Sequence, residues 1–332
     1  MHTVDRRTAL AALLAAPFAS FAQQRLDPVT VAGWSKPITE VTPLLVDEDK
    51  GFYRAQGIAL GFVPGAGGGD AIRNILSGQA DVAFTDPGSF FTALDKGERL
   101  RAIYDIYPQN VFNVVSLKGS GIRTPADLKG KRIGVYSLAS GTRQALQVLL
   151  HSAGLAESDV TVVVTGVLNF APLMQKQVDA TAATDTGLLV GRRRGLPEVE
   201  VMEVGKVLPA SSDLFVVRED VLLARAAVLR RFLRAYRDAA AWMIAQPQEA
   251  AQLAARRAID GTDPSLNLEI IRLRNAASVS DLTRREGLGA IDVAALQAAA
   301  DTYRKLGIVR NALDMRSVVT QDLLPGRKGA AG

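Results

Sequence analysis

The chain has 332 residues, 22% of them charged, a formal net charge of +5 and no cysteine. The missing thiol excludes disulfides, a cysteine nucleophile, thiolate metal sites and a lipid-modified N-terminal cysteine. Only His2 and His151 could supply an imidazole, which leaves little for a metal enzyme or a Ser-His-Asp hydrolase, and scattered basic residues with 6% aromatics give no footing for nucleic acid.

Residues 1–22 read as an export signal cleaved after Ala22: Arg6 and Arg7 precede an apolar run over 9–16, and Ser20-Phe21-Ala22 puts small residues at the cut. The string around the arginine pair resembles a twin-arginine signal, and the pair would also serve the general secretion route. About 310 residues then remain, a length suited to two domains. Outside the leader no apolar run approaches the ~20 residues that span a bilayer, so the expected destination is the periplasm.

Residues 29–33 form a short strand running into Trp34, an amphipathic helix is expected over 41–50, and a strand over 58–63 enters a loop with glycines at 65, 67, 68 and 69. Asp70 stands as N-cap of a helix patterned by Ala71, Ile72, Ile75 and Leu76, which Gly78 ends in the left-handed position. A second strand over 81–84 stops at Thr85-Asp86-Pro87, with Pro87 opening another helix. Two strand ends thus feed loops and helix N-termini, the edge at which open α/β sheets bind ligands. The glycines lack G-x-G-x-x-G spacing and no phosphate-loop Lys-Ser/Thr follows, so the loop reads equally as a ligand loop or a tight turn.

Residues 43–89 carry Pro43, Val46, Lys50-Gly51-Phe52-Tyr53, Gly57-Ile58, Leu76, Gly78 and Ala80-Asp81, and Asp127-Leu-Lys-Gly-Lys-Arg-Ile-Gly-Val135 follows downstream. In these strings the chain resembles solute-binding proteins of ABC importers, in the group that takes nitrate, sulfonates, taurine and thiamine pyrimidine precursors. The resemblance implies an α/β type II periplasmic-binding-protein fold, two lobes joined by a two-strand hinge. It implies a monomer without catalysis, metal or cofactor, which captures a small molecule between the lobes. The partners would be membrane permease subunits with a cytoplasmic ATPase. Lobe 1 would comprise 29–116 and 213–325, lobe 2 would comprise 117–212, and 326–332 would be a disordered tail.

Within lobe 2, Thr124 caps a turn with Pro125 at its first position, and a strand over 133–136 ends before Ser140, Gly141 and Thr142. Those three would offer donors to the cleft at the start of a helix whose inner face is Leu146, Leu149 and Leu150, with His151 late and exposed. Strands follow over 160–165, 178–184 and 199–204. The triple Arg192-Arg193-Arg194 reads as a solvated helix end. Relatives show an aromatic with an acid and proline where this chain has Thr184-Asp185-Thr186. Crossings are expected near 111–117 and 211–216. Helices follow over 224–245, 248–257, 265–277 and 292–306.

The expected ligand wall is therefore Trp34, the backbone of Gly67, Gly68 and Gly69, Thr85, Asp86, Ser140, Gly141, Thr142 and Asp185. Asp86 and Asp185 favour a ligand with amino donors, such as an aminopyrimidine stacked on Trp34, because a buried like charge would repel an anion. Arg143, turned inward, would favour a sulfonate or nitrate instead. Similar pyrimidine synthases of thiamine biosynthesis carry a cysteine-rich iron motif and a histidine in W-x-P-N-x-x-H; here Trp34 matches, Glu40 holds the histidine position and cysteine is missing. A sensory binding domain that addresses a receptor is a third reading.

Overall fold

The computed structural model describes residues 25–166 and 170–325. The expected leader and the tail after residue 325 lie outside the described residues. Among the described residues ten strands form two mixed five-stranded sheets: β1 (Asp27–Ala32), β2 (Ile58–Val63), β3 (Val82–Thr85), β4 (Leu100–Tyr107), β5 (Phe112–Leu117), β6 (Arg132–Val135), β7 (Thr161–Val164), β8 (Ala180–Thr184), β9 (Val199–Glu203) and β10 (Asp213–Arg218). The first sheet runs β2-β1-β3-β10-β4 and the second β7-β6-β8-β5-β9. In each, one strand arriving from the far side of the molecule runs antiparallel to its neighbours: β10 in the first sheet and β5 in the second.

Both faces of both sheets are covered, which is why strands such as Val82-Ala83-Phe84 are continuously apolar rather than alternating. On one face of the first sheet the helix Glu219–Ala245 lays Leu229, Phe232, Leu233 and Tyr236 against Phe215 and Tyr104, with the Phe215 and Tyr236 rings 4.6 Å apart and edge-on. On the other face lie Gly68–Leu76, Pro87–Asp95 and Val293–Lys305, where Phe91 meets Tyr303 edge-on at 5.4 Å. In the second sheet Val114 and Val115 point to opposite sides, one toward Leu146 and Leu149 of the helix Gly141–Ser152, the other toward Phe170, Leu173 and Leu188.

Several elements differ from the expectation. Pro43 stands inside the helix expected over 41–50, and the segment splits into a 3-10 turn, Thr39–Leu44, and a single α-turn, Asp47–Lys50. Asp70 is not the cap: the helix starts at Gly68, and the Asp70 carboxylate reaches back to the Ala66 N–H at 2.8 Å and pairs with Arg73. The eight-residue strand β4 was not singled out at all. β5 pairs with β8 and β9, so the first crossing lies at 108–111, ahead of the expected boundary at residue 116, and the second occupies 204–212.

The two crossings are laced together. Ser212 donates its amide to the Tyr107 carbonyl at 2.9 Å and its hydroxyl to the Gln109 carbonyl at 2.9 Å; Asn110 donates to the Leu208 carbonyl at 3.0 Å. Beside them Asp105 is buried, taking a hydrogen bond from the Ser211 hydroxyl on one oxygen and none on the other. Burial, only partly offset by Ser211, pushes its pKa up to about 8. The unfolded chain releases this proton near the ordinary carboxyl value of 3.8, so the stability held below that pH is lost progressively as the pH rises toward about 8. Asp105→Asn is expected to flatten that window, removing up to ~1.4 kcal/mol per pH unit from the slope in urea titrations. An unchanged slope would show that Asp105 ionises freely in the fold.

Candidate functional site

Between the two sheets lies a cavity of about 380 Å³. Its walls come mainly from segments that leave the C-terminal ends of strands: Trp34 after β1, Gly67 and Gly68 after β2, Asp86 after β3, Tyr136 and Ser140 to Thr142 after β6, and Thr184 and Thr186 at the end of β8. Trp34 stands edge-on to Phe84 of its own lobe at 6.5 Å and to Tyr136 of the other at 6.4 Å. Phe112, Phe170, Met174, Ile38 and Ile270 complete a predominantly apolar, ring-lined chamber. Phe170 reaches it because the helix Asp185–Arg193 carries Gly191 there; a Cβ at that position would sit 2.9 Å from the Phe170 ring.

The lobes meet across this chamber. The Gly69 N–H donates to the Ala139 carbonyl at 3.0 Å, and the Ser137 hydroxyl donates to the Ala66 carbonyl. Gly67, with φ +129°, has no room for a side chain: an added Cβ would lie 2.4 Å from the Ala139 oxygen and 2.8 Å from the Ser140 Cα. The glycine loop is thus a seam between lobes. Deeper in, Arg274 from the helix Pro264–Ala277 is 1% exposed, ion-pairs with Asp185 of the other lobe, lies 3.6 Å from Glu40 and stacks over the Tyr107 ring at 4.9 Å. Glu40 accepts from the Thr186 hydroxyl at 2.8 Å, again between lobes, and Arg193 pairs with Glu269 at the rim.

Of the residues expected at the ligand wall, Trp34, Gly67, Gly68, Asp86, Ser140, Gly141 and Thr142 line the cavity. Three do not. Gly69 faces Ala139 in the seam, Thr85 is fully buried with its hydroxyl on the Gly68 carbonyl at 3.0 Å, and Asp185 is held by Arg274 and by the Thr186 N–H at 2.7 Å. Arg143 turns away, held by Glu157 at 2.7 Å and by the Leu138 carbonyl at 3.0 Å. Asp86 lines the chamber but is occupied as a helix cap, both oxygens taking hydrogen bonds of 2.8 Å from the Ser89 amide and hydroxyl.

Sequence reasoning missed Arg274, Asp213 and most of the ring wall, and it noted Glu40 only as a departure from a pattern. The spacing of Ile270, Ile271 and Arg274 puts that arginine on a buried helix face, a signal legible in retrospect. Burial raises the Glu40 carboxyl, against the pull of Arg274 and Thr186, and raises Asp86 against its Ser89 bonds. Asp213 is pushed well above the carboxylate range by burial and then by neighbouring Asp86, with Arg274 opposing. Burial works against the charge of Arg274 itself, and Asp185 and Glu40 more than offset it, so its pKa is raised.

The model of the family described as "NMT1/THI5 like" matches residues 38–250. The riboflavin-binding protein RibY of Chloroflexus aurantiacus is 26% identical over 323 residues, 96% of this chain and 92% of that protein. The 4-amino-5-hydroxymethyl-2-methylpyrimidine phosphate synthase of Schizosaccharomyces pombe is 24% identical over 218 residues, 62% of each chain. In fold, the chain is similar to the alkanesulfonate-binding protein SsuA of Xanthomonas axonopodis pv. citri, solved with MOPS, at a TM-score of 0.69 and 18% identity over 89% of this chain and 98% of that one.

Proposed function

The chain belongs to the NMT1/THI5-like family, and from that premise we propose that it is an exported solute-binding protein, which closes on a flat aromatic heterocycle and hands it to the permease of an ABC importer. The observation that carries this reading is the interlobe chamber: about 380 Å³, walled by Trp34, Phe112, Tyr136 and Phe170 and roofed by contacts between lobes. It is roomy for nitrate or taurine and suits a fused ring system. The similarity to a riboflavin-binding protein over nearly the whole of both chains supports a ligand of that class.

A sulfonate is less favoured: Lys36 and Arg194 also line the chamber, but Arg143 turns outward, Arg274 is already neutralised by Asp185 and Glu40, and Asp86 and Asp213 border the same space. A single-ring aminopyrimidine is the second reading, favoured by those same acceptors. A pyrimidine synthase is disfavoured because the cysteines of its iron motif have no counterpart here and Glu40 stands at the histidine position. The protein acts as a monomer in the periplasm after loss of its leader, with no covalent chemistry of its own.

Thermal melts with riboflavin, 4-amino-5-hydroxymethyl-2-methylpyrimidine, taurine and nitrate test the reading. Riboflavin at ~100 times its Kd is expected to add about 2.7 kcal/mol of unfolding free energy. A melt that rises only with taurine or nitrate would overturn the choice of ligand.

A further inference from the structure

Asp213 opens β10 where the chain returns from the second lobe, and its side chain borders the cavity. It is 7% exposed, and its carboxylate takes no hydrogen bond and no ion pair from any described residue. Each neighbouring carboxylate has at least one partner within the chain: Asp86 has both oxygens on Ser89, Glu40 one oxygen on Thr186, Asp185 is on Arg274, and Asp105 has one oxygen on Ser211. A buried carboxylate with like charges beside it and no donor costs stability, and burial together with Asp86 holds its pKa well above the ordinary value. Its side chain borders the chamber, where the donor of a bound ligand can reach it.

We propose that Asp213 is a ligand-reading residue, which accepts a hydrogen bond from a ring N–H of the heterocycle held between the aromatic walls. This rests on the solute-binding reading above and adds to it the chemistry of one ligand edge: a ring N–H, presented by an imide or by an amino-azine, at the hinge end of the chamber. The arrangement places the specificity determinant next to the crossings, where the ligand edge is engaged by a strand that belongs to the hinge.

The test compares the full chain with Asp213→Leu, which removes the acceptor at similar size, and Asp213→Asn, which removes the charge and keeps a carbonyl. Riboflavin, 3-methylriboflavin, in which that ring N–H is methylated, and 4-amino-5-hydroxymethyl-2-methylpyrimidine are the probes. Without ligand, both variants are expected to melt higher than the wild type, because an unpaired carboxylate has gone. With ligand, Asp213→Leu is expected to lose at least tenfold in affinity for the N–H-bearing probe that the wild type binds, and 3-methylriboflavin is expected to bind wild type and Asp213→Leu alike. Equal affinity of wild type and Asp213→Leu for the N–H-bearing probe overturns the proposal alone, as does a lower melt in both unliganded variants. If no probe shifts the wild-type melt, the proposal falls with the reading on which it rests.

Discussion

Arg274→Met is expected to cost about 3–5 kcal/mol of stability and to part the lobes, because it strips the cation from a buried cluster and leaves Glu40 and Asp185 without their shared partner. The geometry explains why the loss should be large. Arg274 is buried, its charge is answered from both lobes, and its planar head lies on the Tyr107 ring. Methionine keeps much of the length and apolar bulk, so the measurement isolates the charge. Urea unfolding followed by tryptophan fluorescence reads the stability, and small-angle scattering of the unliganded chain reads the opening as a larger radius of gyration. Adding Asp185→Asn and Glu40→Gln to Arg274→Met is expected to recover much of the deficit, since the uncompensated charges go with it. A cost under ~1 kcal/mol for the single variant would place this ion pair among the surface-like ones that contribute little.

The second large effect is expected at the glycine seam. Gly69→Leu adds a side chain whose Cβ would start 3.2 Å from the Ala139 oxygen, from the first turn of the helix Gly68–Leu76, where Gly69 does not take a left-handed φ. The variant should therefore fold yet be unable to bring the second lobe home. On the solute-binding reading proposed above, riboflavin affinity is expected to fall by one to two orders of magnitude, about 1.4–2.8 kcal/mol, because the open form withdraws the Tyr136 and Phe170 walls from the chamber. Scattering should report the open form with and without riboflavin. Gly67→Ala is expected to act likewise but adds backbone strain at φ +129°, so its melt should drop as well. Full affinity in Gly69→Leu would mean that closure does not need this contact.

What could be read in the sequence was whatever depends on local pattern. The strand 58–63 carries the expected limits, Pro87 opens a helix, Gly78 takes a left-handed φ, and Asp292 and Gly307 bracket the helix between them. These follow from short-range sterics and hydrogen bonding that act within a few residues. Leu100–Tyr107 escaped notice because Arg101 and Asp105 interrupt its apolar run, and their partners, Glu219 and Ser211, come from far along the chain. The chamber suffered the same way. Trp34 and Ser140 to Thr142 lie at strand ends and were found by the edge rule, whereas Arg274 resembles every other arginine of an Ala/Arg-rich helix until the fold buries it. Asp185 ends a strand at the cleft edge, which predicts a ligand-facing carboxylate; its pairing with Arg274 comes from 89 residues further along the chain and leaves no local signal.

The strand order also dictates a sequence of events during folding. The five strands of the second sheet are contiguous in the chain, from Phe112 to Glu203, so that lobe can assemble from its own segment. The first sheet cannot, because β10 sits between β3 and β4, pairing Phe215 with Phe84 on one side and with Tyr104 on the other. Until residue 218 has been made, β3 and β4 have open edges and the apolar face awaiting Phe232 and Tyr236 is bare. Loop-closure entropy must be met before those distant pairings reward it, which slows the step. The later-forming lobe is therefore the one built from the first and last described segments, and the emerging polypeptide holds a folded middle within unfinished flanks, the interval in which it is most exposed to aggregation.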